Sequence, residues 1–293
     1  MARAAFDSKV MPWALAAPQL LLVAVVFYWP AAQALLWSLH LERPFGGPSP
    51  FVGLDNFTAL FEDDVFLRSL ATSAVFTGAT TLASLFGALA LAVAVDRRLP
   101  GSRPAGALLV WPYAVAAPAA GLVMALVLDP RLGLAAGLND WYPGLWSPAS
   151  NGTEALVMVV LAFVWLHVPF NFVFLLAALR ALPCGCLEAA AIDGAGPWLQ
   201  LVTIRLPLLI PYLFFVLVLD MTESFTQSFG LINVTTHGGP GGATNILVYN
   251  IYADGFVGLD FSRASAESVV LMLTMAVLAA AQFRWFSPPG RKV

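Results

Sequence analysis

Apolar residues fall into long runs separated by short polar breaks. The first run, about 12 to 39, reads PWALAAPQLLLVAVVFYWPAAQALLWSL and carries Pro18 and Pro30. It is longer than a signal-peptide core and has no clean cleavage site, so it is expected to stay as a first membrane helix, bent at its prolines. Further runs cover about 69 to 95, 105 to 128, 154 to 180, 206 to 231 and 264 to 286. Each has about 20 or more residues, enough to cross a hydrocarbon core of about 30 Å. The pattern predicts an all-α integral membrane protein with six transmembrane helices.

Composition removes the soluble alternative. The 293 residues are 60% hydrophobic and 11% charged, with mean hydropathy +0.82. Soluble domains carry about 25% charged residues. The net charge of −3 decides little; the placement of Lys and Arg decides orientation. Arg3, Lys9, Arg97, Arg98, Arg103, Arg180, Arg205, Arg284, Arg291 and Lys292 fall on one side of the six spans. Arg43, Arg68, Arg131 and Arg263 fall on the other. The richer side is expected to be cytoplasmic, with both termini. The loops 40–66, 129–153 and 232–262 then face outward.

The outward loops have their own signals. In the first, Asp55 is placed to cap a short helix whose Phe57, Leu60 and Phe61 share a face. The second holds Trp141, Tyr142 and Trp146, rings suited to a membrane–water boundary. The third is Gly-rich.

The stretch 188–207, EAAAIDGAGPWLQLVTIRLP, carries several restrictions at once. Leu187 to Ile192 favours helix. Ala189, Ala190 and Ala191 let another surface approach closely. Gly194 and Gly196-Pro197 end the helix. Glu188 is expected near its start, and the next membrane helix is expected to begin at Leu206-Pro207.

Polar groups also occur at membrane depth. His167 and Asn171 sit mid-way along the fourth span; Asp220, Glu223 and Gln227 lie in the fifth. Counting about 1.5 Å per residue, His167 and Asp220 fall at similar depth. Asp220, Glu223 and Gln227 are three and four apart and can share one face. Such groups face a cavity or a partner. They either line a translocation path or form a structural hydrogen-bond network. Pro169 leaves a carbonyl free, which favours a local hydrogen bond for His167.

Other chemistry is missing. Lys9 and Lys292 are the only lysines, and neither stands in a G-x-x-x-x-G-K-[ST] loop. Cys184 and Cys186 have no nearby Cys or His to complete a metal site, and His40, His167 and His237 do not cluster in sequence. No cofactor, metal, catalytic residue or nucleic-acid partner is expected.

The spacing of Glu188-Ala189-Ala190, Gly194 and Leu206-Pro207 resembles the EAA loop of bacterial ABC-importer membrane subunits. With APQL at 17–20, FVGLDNF at 51–57, PYAVA at 112–116, GGP at 238–240, IYADGFVGLD at 251–260 and SAESVVLM at 265–272, the chain resembles one family more narrowly. These are the A-type permease subunits of sn-glycerol-3-phosphate ABC importers, within the carbohydrate-importer permeases. The resemblance implies a type I, MetI-like transmembrane domain over 69–286, after an N-terminal region 1–68 and before a tail 287–293. It implies a cytoplasmic coupling helix in which Glu188, Ala189, Ala190, Asp193, Gly194, Leu206 and Pro207 engage an ATPase. It also implies a bacterial inner-membrane location, a second permease subunit, an ATPase dimer that binds ATP and Mg, and a periplasmic binding protein met by Gly238, Gly239, Pro240 and Thr244. Cys184-Gly185-Cys186 departs from the family, which more often has larger or polar residues there. A neutral sugar is the alternative substrate, since no Lys or Arg lies at membrane depth. A stand-alone ion-coupled carrier using Asp220 and Glu223 is the reading from another class.

Overall fold

The computed structural model describes residues 10–43, 45–96 and 109–286. Arg3, Lys9, Arg97, Arg98, Arg103, Arg291, Lys292 and the tail 287–293 lie outside the described residues, as does the start of the third expected span. The described residues are helical apart from turns, loops and one isolated antiparallel bridge, His40 to Phe51. Among the described residues five helices are long and apolar enough to cross a membrane: α1 (Met11–Ser38), α3 (Asp64–Asp96), α6 (Gly152–Arg180), α8 (Pro197–Thr226) and α11 (which runs Phe261–Phe286). The shorter helices are α2 (Asp55–Glu62), α4 (Ala117–Val127), α5 (Ala136–Trp141), α7 (Cys184–Ile192), α9 (Phe229–Thr235) and α10 (Leu247–Tyr252).

The chain divides into two compact units. One comprises residues 1–63 and 251–272. Within it α1 continues through a π-helical turn, Ala24–Tyr28, just ahead of Pro30. Asn56 donates from Nδ2 to the carbonyls of Ser38 (2.8 Å) and His40 (3.1 Å), fixing α2 against the end of α1. Asp55 does not cap α2 as expected. Leu54 occupies the cap position with no side-chain bond, and Asp55 is already the first helical residue. Leu60 is buried whereas Phe61 stays exposed, so the three apolar residues do not all turn inward. Arg263 pairs with Asp63, with Asp254 (2.6 Å) and with the buried Glu267 (3.6 Å). The guanidinium supplies the opposite charge that an enclosed Glu267 needs, and shares it with the two aspartates.

The other unit comprises residues 64–250 and 273–293. Its centre is the packing of α3 on α6, with α8 against both. Lipid tails are as apolar as Leu, so shape and hydrogen bonds hold membrane helices together. The sequence meets both needs. Ala88, Ala92, Ala162 and Ala178 are buried at the contacts and let backbones approach. Ser69, Ser73, Thr77, Thr80, Thr81 and Ser84 recur at helical spacing on the buried face of α3. Most of the hydroxyl bonds in this row return to a carbonyl three or four residues back, as for Ser69, Ser73 and Thr80. Two reach across: Thr80 Oγ1 meets Ser224 Oγ at 2.9 Å, and Ser73 Oγ accepts from the Leu247 N–H at 2.7 Å. A second cluster packs Phe76 edge-on to Phe163 at 5.5 Å with Ala120, Leu231 and Ile232.

Two expected spans differ from the structure. Over its described part the third is broken into a 3-10 turn, Trp111–Ala114, an extended Val115–Ala116 and the 11-residue α4. At 1.5 Å per residue α4 covers about 16 Å, roughly half a bilayer core. Pro112 and Pro118 fit the break, because each lacks an N–H and sits in the first turn of a new helical segment, where that donor has no partner to lose. The fifth span begins earlier and ends earlier than expected. Its helix starts at Pro197, passes through a π-turn at Leu201–Arg205, includes Pro207 in an early turn, and stops at Thr226. Pro207 costs nothing severe there, since a π-turn already rearranges the ladder before it.

Candidate functional site

Antiparallel packing of α6 and α8 brings the expected mid-membrane residues together in pairs. Asn171 donates from Nδ2 to both carboxylate oxygens of Asp220, at 3.0 and 2.7 Å, and both residues are fully enclosed. One turn away along α8, His167 Nε2 lies 3.1 Å from Glu223 Oε2, and this pair is only partly buried. His167 stacks on Phe163 with ring centroids 3.8 Å apart, and its Nδ1 bonds the Phe163 carbonyl at 2.8 Å. The expected local hydrogen bond of His167 is therefore present. Its acceptor is one turn back from His167 and is not the Trp165 carbonyl that Pro169 releases.

A cavity of about 200 Å³ opens beside this second pair. His167, Glu223, Gln227, Tyr113 and Phe163 line it. Asp220 does not, although the spacing allowed all three α8 groups one face. At its level Asn171 from α6 fills the space that the cavity occupies one turn further on. Thr80, Ser224 and the Asp220 carbonyl continue the enclosed network, with Ser224 Oγ donating to that carbonyl at 2.7 Å. The five residues thus separate into an enclosed pair and a cavity-lining trio.

The 188–207 stretch forms a helix–turn–helix. Helix α7 begins at Cys184, so Glu188 stands in its second turn and not near its start as expected. The end of α7 is a Schellman turn: Ala195 N–H bonds the Ala190 carbonyl at 2.9 Å, and Gly194 N–H bonds the Ala191 carbonyl at 3.1 Å. Gly194 takes φ +82, which the turn requires and side chains resist. Glu188, Ala189, Asp193 and Gly194 are exposed, and Ala190 is half-buried. Ile192 and Trp198 show 86% and 72% of their surface. Both stand at the turn that joins α7 to α8. Leu206 and Pro207 lie within α8, and just before them Arg205 Nη1 pairs with Asp96 Oδ2 at 2.6 Å, tying the end of α3 to the base of α8.

At the end of α6 remote from α7, the loops 129–150 and 235–246 enclose a cavity of about 400 Å³. Asp129, Pro148, Thr236, Gly239 and Pro240 are among its walls. Backbone N–H groups of Leu132 and Arg131 hold the Asp129 carboxyl below the usual carboxylate range. Thr244 is buried; it donates to the Gly239 carbonyl at 2.8 Å and meets Thr236 Oγ1 at 2.7 Å. Gly238, at φ +77, leaves no room for a side chain beneath Tyr249. Gly238 and Thr244 therefore shape the loop, while Gly239 and Pro240 face the cavity.

Sequence reasoning missed the Asp96–Arg205 pair, the Arg263 cluster and the α3 hydroxyl row. The row had a signal, Ser or Thr at positions 69, 73, 77 and 81 of an otherwise apolar helix. Arg263 and Glu267 had one as well, being four apart, but the pairs Asp96–Arg205 and Asp63–Arg263 had none, because their partners lie 109 and 200 residues apart.

Two kinds of likeness bear on this geometry. The chain is 42% identical over 285 residues to the sn-glycerol-3-phosphate transport system permease protein UgpA of Rhizobium meliloti (strain 1021), covering 97% of each. It is 43% identical over 283 residues to the protein of that name in Yersinia enterocolitica, covering 97% of this chain and 96% of the other. In fold it resembles a chain of the bacterial alginate ABC transporter crystallised with an alginate pentasaccharide-bound periplasmic protein. That match has TM-score 0.81 and 17% identity and covers 94% of this chain and 93% of the other. A second crystal structure of a bacterial ABC transporter, one involved in alginate import, matches with TM-score 0.78 and 19% identity over 95% and 97%. Residues 107–288 match the family described as the binding-protein-dependent transport system inner membrane component, and the chain belongs to that family.

Proposed function

We propose that this chain is a permease subunit of an ABC importer for sn-glycerol 3-phosphate, pairing with a second permease around the translocation path. The observation that carries the substrate is the near-full-length likeness to permeases named for it. A periplasmic binding protein delivers the substrate to the face carrying Gly239 and Pro240. A separate ATPase dimer hydrolyses ATP and presses on α7, where Glu188 to Gly194 and the exposed Ile192 and Trp198 offer the docking surface. Both termini and α7 lie in the cytoplasm. The continuous helix from Pro197 to Thr226 supports the coupling. A push on α7 passes through one short turn into α8, which carries Glu223, and Gln227 just past its end, to the cavity.

Reconstitution with the second permease, the ATPase and the binding protein tests this. Uptake of labelled glycerol 3-phosphate, dependent on ATP and on the binding protein, is the expected result. Uptake of maltose or trehalose with none of glycerol 3-phosphate overturns the substrate. Flux driven by an ion gradient without ATP overturns the importer.

A further inference from the structure

The cavity between the outer loops has a one-sided hydrogen-bond inventory. Pro130, Pro148 and Pro240 stand in its walls and have no N–H to give. Thr235, also on the wall, donates from Oγ1 to the Leu231 carbonyl at 2.8 Å. Thr244 Oγ1 spends its hydrogen on the Gly239 carbonyl, so the 2.7 Å contact between the two hydroxyls takes the hydrogen of Thr236. The Gly239 N–H bonds the Thr236 carbonyl at 2.9 Å. The hydroxyl hydrogens on the walls and the Gly239 N–H are therefore all committed inside the protein. What the walls still offer is acceptors: hydroxyl lone pairs and the Asp129 carboxylate. Asp129 receives the Arg131 and Leu132 N–H groups at a single oxygen, Oδ1, both at 2.8 Å, which leaves Oδ2 for an outside donor. Among the described residues no Lys or Arg lines this cavity.

That inventory selects the ligand. An anion finds no hydroxyl donor here, so the cavity is not a second seat for phosphate. A metal ion finds a single carboxylate, and among the described residues no three His, Cys, Asp or Glu gather to hold one. The rest of the wall is apolar, with Leu128 and Met158 beside the prolines. A ligand that suits both parts has an apolar stem and a cationic head rich in hydrogens, which describes a Lys or Arg side chain. The volume of about 400 Å³ lies within the range of pockets that take small ligands, about 300–1,000 Å³, and admits one such side chain.

We propose that this cavity is the socket in which a Lys or Arg of the periplasmic binding protein seats its charge on Asp129. The inference rests on the importer reading and deepens it by naming the contact. On that reading the socket loops face outside, where the binding protein arrives and leaves in every cycle. A charged contact at an open rim speeds such an encounter and makes it sensitive to salt.

The test uses the complex of both permeases and the ATPase in lipid nanodiscs, titrated with substrate-loaded binding protein. The readout is the binding-protein concentration that gives half-maximal stimulation of ATP hydrolysis. Asp129→Asn removes the charge but keeps an oxygen for the Arg131 and Leu132 N–H groups, so the turn holds. That concentration should rise about tenfold at low ionic strength, and further for Asp129→Lys. Parent and Asp129→Asn should converge at about 0.5 M salt. A merely structural role would lower complex yield in Asp129→Ala and leave the Asn titration at the parent value, which overturns the inference. A photo-crosslinking side chain at Ala149, an exposed wall residue, identifies the occupant. Capture of a Lys- or Arg-bearing peptide of the binding protein supports the socket, and capture of the second permease overturns it. Uptake is scored in the same complexes reconstituted in proteoliposomes. Import of a neutral sugar alone, with docking still dependent on Asp129, refutes the substrate and leaves the socket standing. Import of glycerol 3-phosphate with docking indifferent to Asp129 does the reverse.

Discussion

Replacing Gly194 isolates backbone strain at the docking turn. An ideal side chain built there meets nothing within 4 Å, so Gly194→Ala adds no clash. The residue must nevertheless hold φ +82 for the Schellman turn to close. That conformation costs an L-residue roughly 1–2 kcal/mol, and a β-branched residue more. The turn ends a helix of only nine residues whose start has no side-chain cap. Isolated helices below about 12–15 residues are marginal, so little reserve absorbs the cost. A loss of 1–2 kcal/mol lowers the population of the closed turn relative to its alternatives about 5- to 30-fold. Asn tolerates positive φ better than Ala. The expected order of substrate imported per ATP hydrolysed, in the reconstituted complex, is therefore Gly, Asn, Ala, Val. ATPase activity in the absence of binding protein should change less than coupled uptake. Equal coupling in the Ala and Val variants and the parent refutes the strain argument. An Asn variant worse than Val would show that something other than φ governs the site.

Three further outcomes follow from the packing. Asn171→Ala leaves the Asp220 carboxylate enclosed without its donor, at a cost of about 1–3 kcal/mol; complex yield and thermal stability should fall, while uptake per assembled complex stays within about twofold. Arg205→Asp against Asp96 should reduce both yield and coupling, as should Asp96→Arg, and the exchanged pair Asp96→Arg with Arg205→Asp should restore part of each, by about 1 kcal/mol in a double-mutant cycle. In a background lacking Cys184 and Cys186, a membrane-impermeant thiol reagent applied outside should label His237→Cys and not Trp198→Cys, both positions being exposed; the reverse pattern would place α7 away from any cytoplasmic ATPase.

Much of this architecture was readable because a bilayer enforces periodic hydrophobicity over long stretches. The runs that became α1, α3, α6, α8 and α11 could scarcely be anything else, and their ends were misjudged only by a few residues or a turn or two. The third run was equally apolar, yet hydropathy does not report the backbone. Pro112 and Pro118 were visible; what was not visible is that both would act, giving a 3-10 turn, an extended dipeptide and a half-length helix. Proline is tolerated in some membrane helices, as Pro169 inside α6 and Pro211 inside α8 show, so its presence alone does not mark a break.

The site was legible in its residues and not in its partition. Equal depth placed His167 and Asn171 opposite Asp220 and Glu223, and the pairs formed. Sequence spacing treats Asp220, Glu223 and Gln227 as one polar stripe, because a helix repeats its face every three or four residues. What separates them is on the other helix. Asn171 closes over Asp220 with two hydrogen bonds, whereas His167, four residues earlier, is drawn back onto Phe163 and leaves room before Glu223. The same chemistry, an acid at membrane depth, thus becomes a packing element at one turn and a cavity wall at the next. The deciding quantity is the shape left by the facing side chain. A carboxylate enclosed by an amide donor is satisfied within the protein; one that lines a cavity keeps a face open to an incoming group. That difference, invisible in the spacing of α8, puts Glu223 and not Asp220 on the cavity wall.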